Sequence, residues 1–335
     1  MEILQHKRTE IFPLSKHFTS FYANHRFIVF DIETTGLNAK YEKVILIGLM
    51  YIEEGQPVIE QYFCHHRKNE PLLLNKFSEK IRPYDLLISY NGNSFDIPFL
   101  NQRFHQNGIT YQINKYKNLD LLRFARKYQQ HLNLTDCTLK SVEKSIGIHR
   151  KDTISGKESV ELYKAYEKNP SLALKNKILL HNYEDIYYLG HCLQIIDHVS
   201  YDQALEQMPL ILKPKADQIW NISSLKIKTN TLQVEGYYTG SPLEDCIIHE
   251  NGYSFHYEQL THQYQLRIPL YAGMLSSGVK CLYIDAFDFS FPYTKQTLDL
   301  PLQEHIIPIK VSNSLKTAEI IDFVNHLIEY ILLKY

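Results

Sequence analysis

Hydrophobic residues in the first part of the chain form short continuous runs, which are typical of strands buried on both faces. Four such runs predict strands, at Phe27–Phe30, Val44–Met50, Val58–Phe63 and Leu86–Ser89. Apolar residues at helical spacing predict a helix over Pro71–Ile81, between the third and fourth runs. Tight turns join the first three runs. The order therefore indicates an antiparallel meander within a mixed α/β sheet.

The pattern changes along the rest of the chain. Amphipathic stretches predict helices at Thr138–Ile146, at 157–167, at 171–180 and again from His181 onward. Beyond residue 200, hairpin turns at Thr229-Asn230 and Asn251-Gly252 separate short strands, and Thr317–Tyr335 is a closing helix. We therefore expect a polar N-terminal extension (1–26), an α/β domain (27–200) and a C-terminal α+β accessory domain (201–335).

Length and charge restrict the classes of protein to which this chain can belong. Its 335 residues, 44% of them hydrophobic, suit one large or two ordinary domains. Lys and Arg number 36 against 37 Asp and Glu, so a nucleic-acid-binding surface would have to be local. The five cysteines are scattered without a Cys-x-x-Cys pair, which argues against a disulfide framework or a zinc knuckle. Without a signal peptide or an apolar run of membrane-spanning length, we expect a cytoplasmic protein.

Two carboxylates follow the first predicted strand. Asp31 and Glu33 are two positions apart, so the alternation of a strand places both on the same side. Burying two like charges side by side is unfavourable unless a cation neutralises them. Carboxylate oxygens are ligands that Mg²⁺ and Mn²⁺ favour, and the alternative is a solvated strand end. A turn at Thr34-Thr35-Gly36 comes next, and Leu37 is an apolar residue just past it.

Two further acids follow later in the chain. A turn at Tyr90-Asn91-Gly92 ends the fourth strand, and Asp96 lies in the first turn of the next helix, with Ser94 as the expected N-cap. Asp96 is either an anion stabilised by the helix dipole or a third carboxylate facing the first two. His181 and Asp185 are four residues apart and therefore project from one helix face. They suit a metal ligand beside a general base, or a surface contact.

Basic residues concentrate between positions 101 and 130, where Asp120 is the single acid. Arg123, Arg126 and Lys127 lie at helical i, i+3 and i+4 spacing and share a face, with aromatic residues interleaved. A basic stripe with aromatic residues suits a phosphate backbone and its bases. A solvated helix face is the alternative, and the sequence favours neither.

Three segments together resemble the exonuclease motifs of the DEDD (DnaQ-like) superfamily, which has a ribonuclease H-like fold. They are Phe30-Asp-Ile-Glu-Thr-Thr-Gly-Leu37, Tyr90-Asn91 with Asp96, and His181-Asn182 with Asp185. The resemblance covers about residues 25–198, includes Gly147-x-x-Arg150 and Gly156-Lys-Glu, and is closest to the bacterial YprB-like branch. One spacing departs from the histidine subclass. His181 precedes Asp185 by four residues rather than five, as in the tyrosine subclass.

The resemblance implies a metal-dependent 3′→5′ exonuclease with two Mg²⁺ or Mn²⁺ ions as cofactors. It implies that four acids bind the ions and that His181 is the general base; the acids are Asp31, Glu33, Asp96 and Asp185. The expected substrate-binding residues, including the basic stripe, are Thr35, Gly36, Leu37, Tyr90, Asn91, Arg123, Arg126 and Lys127. The expected substrate is DNA, in DNA repair or nucleic-acid processing, and an expected partner is a helicase or another repair protein.

Two other interpretations stay open. The same site serves RNA-trimming exonucleases, so the motifs do not exclude RNA. An adaptor that binds nucleic acid and carries an idle site is an alternative from another class, and the complete set of four acids and His181 argues against it. Residues 201–335 resemble no family, and the isolated carboxylates Asp285 and Asp288 are interpreted as turn residues.

Overall fold

The computed structural model describes residues 1–150, 154–215, 218–293 and 302–334. Contacts along the chain divide it into two units, Met1–Gln207 and Met208–Tyr335. Each unit has its own sheets and helices. Among the helices of the described residues, none has both the length and the apolar character that crossing a membrane requires.

A six-stranded mixed sheet lies at the centre of the first unit. Its strands are β1 Glu2–Lys7, β2 Phe27–Thr34, β3 Val44–Glu53, β4 Gln56–Phe63, β5 Leu86–Ser89 and β6 Asn118–Asp120. They lie in the order β1-β4-β3-β2-β5-β6. The first four of these pair antiparallel, whereas β5 is parallel to both β2 and β6. The four apolar runs form β2 to β5, which confirms the predicted mixed α/β sheet.

Helices cover both faces of this sheet, which is why its strands are continuously apolar. The helices are α1 Lys16–Phe21, α2 Glu70–Ile81, α3 Asp96–Gln106, α4 Leu121–Lys127, α5 Leu139–Ser145, α6 Gly156–Lys168, α7 Leu172–His191 and α8 Tyr201–Leu205. Two short 3₁₀ turns, Arg67–Asn69 and Lys115–Lys117, and a longer one at Cys192–His198 complete the unit. Side chains of α2 and α3 share a buried cluster with Phe30 and Ile47. Side chains of α6 and α7 share another with Ile45 and Leu46.

Three local expectations differ from the structure. The helices predicted at 171–180 and from His181 form one continuous helix, α7, because the polar residues in its middle are buried rather than exposed at a helix end. Ser94 is not the N-cap of α3, which begins at Asp96 directly after Phe95 and has no side-chain cap. The predicted N-terminal extension contains β1, an edge strand on β4 whose mostly exposed residues form no continuous apolar run.

The second unit is built from antiparallel sheets and one long helix. Its elements are β7 Leu210–Lys215, β8 Gln218–Lys228, β9 Thr231–Thr239, β10 Cys246–Glu250, β11 Tyr253–Glu258, β12 Gln263–Pro269, β13 Tyr271–Met274, β14 Lys280–Asp285, a 3₁₀ turn at Ala286–Asp288, β15 Ile306–Val311, β16 Ser314–Leu315 and α9 Thr317–Lys334. One sheet has the order β10-β11-β12-β9-β8-β7 and the other β13-β14-β15-β16. Helix α9 packs on β7 and β15. This confirms the α+β architecture predicted for the C-terminal part.

Candidate metal centre

Strand β2 carries the first two carboxylates. Asp31 pairs with Gly48 of β3 and Glu33 pairs with Leu46, so the two acids occupy alternate positions of one strand. Glu33 is buried, and Asp31 is half-buried. Their charges interact, since Glu33 is one of the acids that raise the pKa of Asp31. Local strand geometry therefore places both acids at one site.

Helix α7 packs on β2 and brings a histidine and a third acid to the same place. His181 Nε2 lies 3.7 Å from Glu33 Oε1 and 3.5 Å from Asp185 Oδ2. Among the described residues, these three side chains form a group whose candidate ligand atoms all lie within 4.8 Å of one another. The four-residue spacing of His181 and Asp185 is one helical turn, and it gives the pair a common face toward β2.

Asp96 is the first residue of α3, just beyond the end of β5. Because β5 is parallel to β2, the segments that follow the two strands leave the sheet at the same edge. The Asp96 carboxylate accepts backbone hydrogen bonds from its own N–H and from that of Ile32, which favour its charged form. Burial is the larger effect and raises the pKa of Asp96 to about 7. The favourable interaction of Asp96 with the dipole of α3 is therefore too weak to offset the effect of burial on its pKa.

Burial and, after it, the crowding of like charges dominate the electrostatics of this site. Burial raises the pKa of Asp31 well above its ordinary value, and the charges of Asp96, Asp185 and Glu33 raise it further. Burial also raises the pKa of Glu33 to about 7, against the opposing charge of His181. A hydrogen bond from Asn182 Nδ2 acts in the opposite direction and lowers the pKa of Asp31. Without a cation, the site therefore favours protonated carboxyl groups.

The donor set fits a hard divalent cation. Carboxylate oxygens and one imidazole nitrogen converge here, and oxygen ligands suit Mg²⁺ and Mn²⁺. A cation would also offset the repulsion between acids that adds to the effect of burial on the pKa values of Asp31 and Glu33. Glu33, His181 and Asp185 are the described residues whose ligand atoms are grouped closely enough to hold such an ion, whereas Asp31 and Asp96 lie outside that group and interact with it through their charges.

An arginine beside Asp185 belongs to the site, although the sequence assigned it no role. The Arg150 guanidinium donates to Asp185 Oδ1 and to both carboxylate oxygens of Glu143. The side chains of Arg150 and Glu143 are 5% and 1% exposed. The guanidinium therefore partly balances the negative charge around Asp185. Its only signal in the sequence was its place in the Gly147-x-x-Arg150 segment.

A buried aspartate supports the turn that precedes Asp96. Asp120 accepts hydrogen bonds from the backbone N–H groups of Asn91 at 2.8 Å and Asn93 at 3.1 Å, and it also caps α4. Asn91 has a φ of 67°, a left-handed conformation that asparagine tolerates. The Tyr90 hydroxyl donates to Cys137 O at 2.6 Å. The predicted residues Tyr90 and Asn91 thus form part of a rigid turn next to the acids.

The segment after β2 places an apolar side chain in solvent. Thr35 is buried, and its hydroxyl donates to Glu42 and accepts from the Lys43 N–H at 3.0 Å. Gly36 follows, and Leu37 is then 85% exposed. A leucine fixed this far into solvent beside an acidic site is available to contact a ligand. The hydroxyl of Thr35 thus helps to hold this loop, and its predicted role in substrate binding stays a prediction.

The basic stripe lies on the exposed side of α4, whose apolar residues are buried. Arg123, Arg126 and Lys127 are all exposed, and the charge of Arg126 acts on Tyr90. This places Arg126 near the turn that leads to the acids. Arg103, part of the same basic segment, is 1% exposed and forms a buried ion pair with Glu70. It therefore adds nothing to a basic surface.

The chain is similar to one protein family and, over shorter segments, to known proteins. The family model described as RNase_H superfamily matches residues 28–196, just over half of the 335-residue chain. The PolC-type DNA polymerase III of Mycoplasma genitalium is 30% identical in an alignment 104 residues long, which covers 25% of this chain and 7% of that protein. This chain therefore spans less than a tenth of the length of that relative.

Two solved structures are similar to parts of the chain. The family B DNA polymerase of Pyrobaculum calidifontis has a TM-score of 0.42 at 15% identity, covering 69% of this chain and 33% of that one. An E. coli ExoI–ssDNA complex in its zinc-bound form has a TM-score of 0.36 at 14% identity, covering 63% and 54%. The family match includes β2 to β6 and α2 to α7, the elements that carry the four acids and His181. The chain belongs to the RNase_H superfamily.

Proposed function

We propose that this chain is a divalent-metal-dependent 3′→5′ exonuclease of the DEDD type that acts on DNA. The observation that carries the proposal is the convergence of Glu33, His181 and Asp185, with Asp31 and Asp96 close enough to interact electrostatically. An idle site would have no reason to keep so many buried, mutually repelling carboxylates. DNA is proposed ahead of RNA because the relative with 30% identity is a DNA polymerase.

The four acids would hold two Mg²⁺ or Mn²⁺ ions. Asp31 would contribute to both positions, Glu33 and Asp185 to one, and Asp96 to the other. Such ions polarise the phosphodiester and stabilise charge on the attacking and leaving oxygens. Because the carboxylates lie on β2, α3 and α7 rather than on loops, they would hold this arrangement before any substrate binds.

His181 is proposed as the general base. Its Nε2 faces Glu33 and Asp185, and the two carboxylates would stabilise the imidazolium formed when the histidine accepts a proton from the attacking water. The imidazole is buried in the site, so it would be shielded from bulk solvent. The product of each step would be a nucleoside monophosphate.

Substrate contacts would come from the surface around the acids. Leu37, exposed beside Gly36, would pack against the base of the 3′-terminal nucleotide. The stripe of Arg123, Arg126 and Lys127 would contact phosphates farther along the strand. Assignment to the YprB-like branch and a helicase or repair protein as partner stay predictions.

Purified protein incubated with end-labelled oligonucleotides tests this function. Single- and double-stranded DNA and RNA, each labelled at the 5′ or the 3′ end, would be supplied with Mg²⁺, Mn²⁺ or EDTA. We expect a 3′ label to be released first as a mononucleotide and a 5′-labelled strand to shorten stepwise, only with a divalent ion. Internal cuts, release from the 5′ end, or faster hydrolysis of RNA than of DNA would contradict the proposal.

A further inference from the structure

Two buried side-chain amides, one on β4 and one on α7, form a series of hydrogen bonds that ends at Asp31 on β2. Gln61 Nε2 on β4 donates hydrogen bonds to Leu179 O at 2.9 Å and to Asn182 Oδ1 at 3.0 Å. Asn182 Nδ2 on α7 then donates to Asp31 Oδ2 at 3.0 Å. Gln61 and Asn182 are only 1% and 0% exposed. These bonds form a directed series, and none of its amides is a candidate metal ligand.

The direction of the series is fixed at its far end. A backbone carbonyl can only accept, so Leu179 O requires the NH₂ group of Gln61 to face it. The same NH₂ group reaches Asn182, which must therefore turn its oxygen toward Gln61. The NH₂ group of Asn182 is then left to face Asp31. The carbonyl of one helical residue thus determines that Asp31 meets a donor and not an acceptor.

Gly48 provides the space for this series. It lies on β3 directly between its pairing partners Asp31 on β2 and Gln61 on β4. A Cβ atom on Gly48 would stand 2.2 Å from Asn182 Oδ1, well inside contact distance. Any side chain at this position would therefore push the Asn182 amide out of line. Strands β2, β3 and β4 together with α7 therefore leave space over Gly48 for the Asn182 amide.

We propose that Gln61, Gly48 and Asn182 are positioning residues for Asp31, and this inference rests on the proposed metal centre. Asn182 fixes the rotation of the Asp31 carboxylate through Oδ2 and so presents its remaining lone pairs to the ions. Gln61 acts through Asn182, since no hydrogen bond joins it to Asp31 directly. Groups that orient a metal ligand in this way commonly change metal affinity by about 10- to 100-fold when they are altered.

Reversing the direction of these hydrogen bonds by a substitution at Gln61 tests the inference without changing a proposed metal ligand. In Gln61→Glu, an ionised side chain cannot donate, and a protonated one has a single O–H in place of the two N–H groups. Asn182 is then driven to reverse its amide and to present oxygen to Asp31. We expect Mn²⁺ affinity, measured from free Mn²⁺ by electron paramagnetic resonance, to fall by about 10- to 100-fold. Gln56→Glu, on the same strand but half-buried at its start, should change it by less than about twofold.

A double-variant cycle isolates the path through Asn182. Asn182→Leu should weaken Mn²⁺ binding by a similar factor. Adding Gln61→Glu to Asn182→Leu should then cause almost no further loss, because the connection is already broken. Gln61→Met, which removes both donors without adding an acid, serves if Gln61→Glu does not fold. It should also weaken binding in the wild-type background but not in Asn182→Leu.

The outcomes separate this inference from the proposed activity. Mn²⁺ binding at wild-type strength in folded Gln61→Glu and Gln61→Met would overturn the inference. It would also be overturned if the Gln61 substitutions reduced Mn²⁺ affinity equally in the wild type and in Asn182→Leu. If the variants lose Mn²⁺ affinity as expected but the wild type has no nuclease activity, the proposed exonuclease function is contradicted and the positioning role of these residues is not. No Mn²⁺ binding to the wild-type protein would overturn both.

Discussion

At the scale of single residues, the site is a balance between burial and charge. Glu33 and Asp96 are buried among other acids, and each has its pKa raised to about 7. His181 and Arg150 supply the nearby positive or protonatable groups, and they lie on the Asp185 side of the site. No cationic group is among the main influences on the pKa of Asp31 or of Asp96. A bound cation would supply the positive charge that this part of the site lacks.

A single substitution distinguishes two possible roles of His181, general base and metal ligand. If it is the base, His181→Ala should lower turnover by about 10²- to 10⁴-fold while Mn²⁺ affinity stays close to wild type. The four carboxylates remain to hold the ions, so binding should persist. Single-turnover kinetics and Mn²⁺ titration on the same samples measure the two quantities. His105→Ala, which removes an exposed histidine of α3, is the matched control.

A large loss of Mn²⁺ affinity in His181→Ala would show instead that the imidazole is a ligand, as its place in the group with Glu33 and Asp185 allows. Turnover near the wild-type value would mean that the base lies elsewhere.

The sequence was informative about residues whose role depends on local spacing. Asp31 and Glu33 share a strand side, and His181 and Asp185 share a helix face, so two short periodicities predicted both pairs. Residues whose role depends on a distant partner were not predictable in this way. Arg150 bridges Glu143 and Asp185, which are far apart in the chain, and the Gly147-x-x-Arg150 segment does not by itself indicate that contact. Gln61 is similar, because its partners lie on α7.

At the scale of elements, burial separates the well-predicted strands from the others. Strand β5 has the predicted bounds, and its four residues are all buried. Strand β1 is an edge strand with mostly exposed polar residues, and β6 is only three residues long and contains two polar side chains. Neither has the apolar run by which a strand is recognised. Tertiary pairing, rather than local preference, gives them their conformation.

Helix α7 shows the same limit in a functional element. Its middle contains His181 and Asn182, which are polar, buried and directed at the site. A helix with a polar segment on its buried face has a weak amphipathic pattern, so its continuity from Leu172 to His191 was missed. The buried polar side chains in the middle of the helix are the physical reason for the error.

The exposed face of α4 gives a prediction about phosphate contacts. Replacing Arg123, Arg126 and Lys127 together by alanine should weaken oligonucleotide binding and reduce the slope of log K against log salt. Each lost contact should change that slope by about 0.7 for a single strand or 0.9 for a duplex. Fluorescence anisotropy in EDTA at several salt concentrations measures this without hydrolysis.

The matched control removes equal charge elsewhere. Lys157, Lys164 and Lys168 are exposed on α6, and their replacement by alanine should leave the slope nearly unchanged. If both triple variants behave alike, the α4 stripe is a solvated helix face and has no specific role.

At the scale of the whole molecule, the buried acids link stability to pH and to metal. A carboxyl group whose folded pKa lies above its unfolded pKa holds its proton more tightly when folded. Its contribution to stability is fully present below the unfolded value and is lost as pH rises through the folded one. For Glu33 and Asp96 this window extends from the ordinary values of 4.5 and 3.8 to about 7.

We therefore expect the metal-free protein to lose stability between pH 5 and pH 7.5, and Asp96→Asn to lose less. Each unit of pKa difference corresponds to about 1.4 kcal/mol, so the two proteins should differ on the order of 1 to 4 kcal/mol across that range. Denaturant unfolding in EDTA measures this. Mn²⁺ at pH 7.5 should stabilise the wild type more than the variant. Parallel pH curves for the two proteins would contradict the assignment of Asp96 to the charged cluster.

The two units differ in how much the sequence revealed about them. Met1–Gln207 contains the superfamily match, and its site follows from three short segments that the chain brings together at one edge of a sheet. The hairpins predicted in the second unit are present, with Thr229 and Asn230 at positive φ in one turn. Its strands β7, β13, β15 and β16 lack a clear alternation of apolar and polar residues and were not predicted. A function for this unit does not follow from its fold.

The central claim is that these acids form a metal-dependent nuclease site, and one measurement tests it most directly. Hydrolysis of a 3′-labelled DNA strand in Mn²⁺ should be compared for the wild type, Asp31→Asn, Asp185→Asn and the exposed control Glu161→Gln. We expect wild-type and control rates to agree, both aspartate variants to fall by at least about 10³-fold while remaining folded, and EDTA to abolish all hydrolysis. Undiminished hydrolysis by folded Asp31→Asn, or by the wild type in EDTA, would contradict the account.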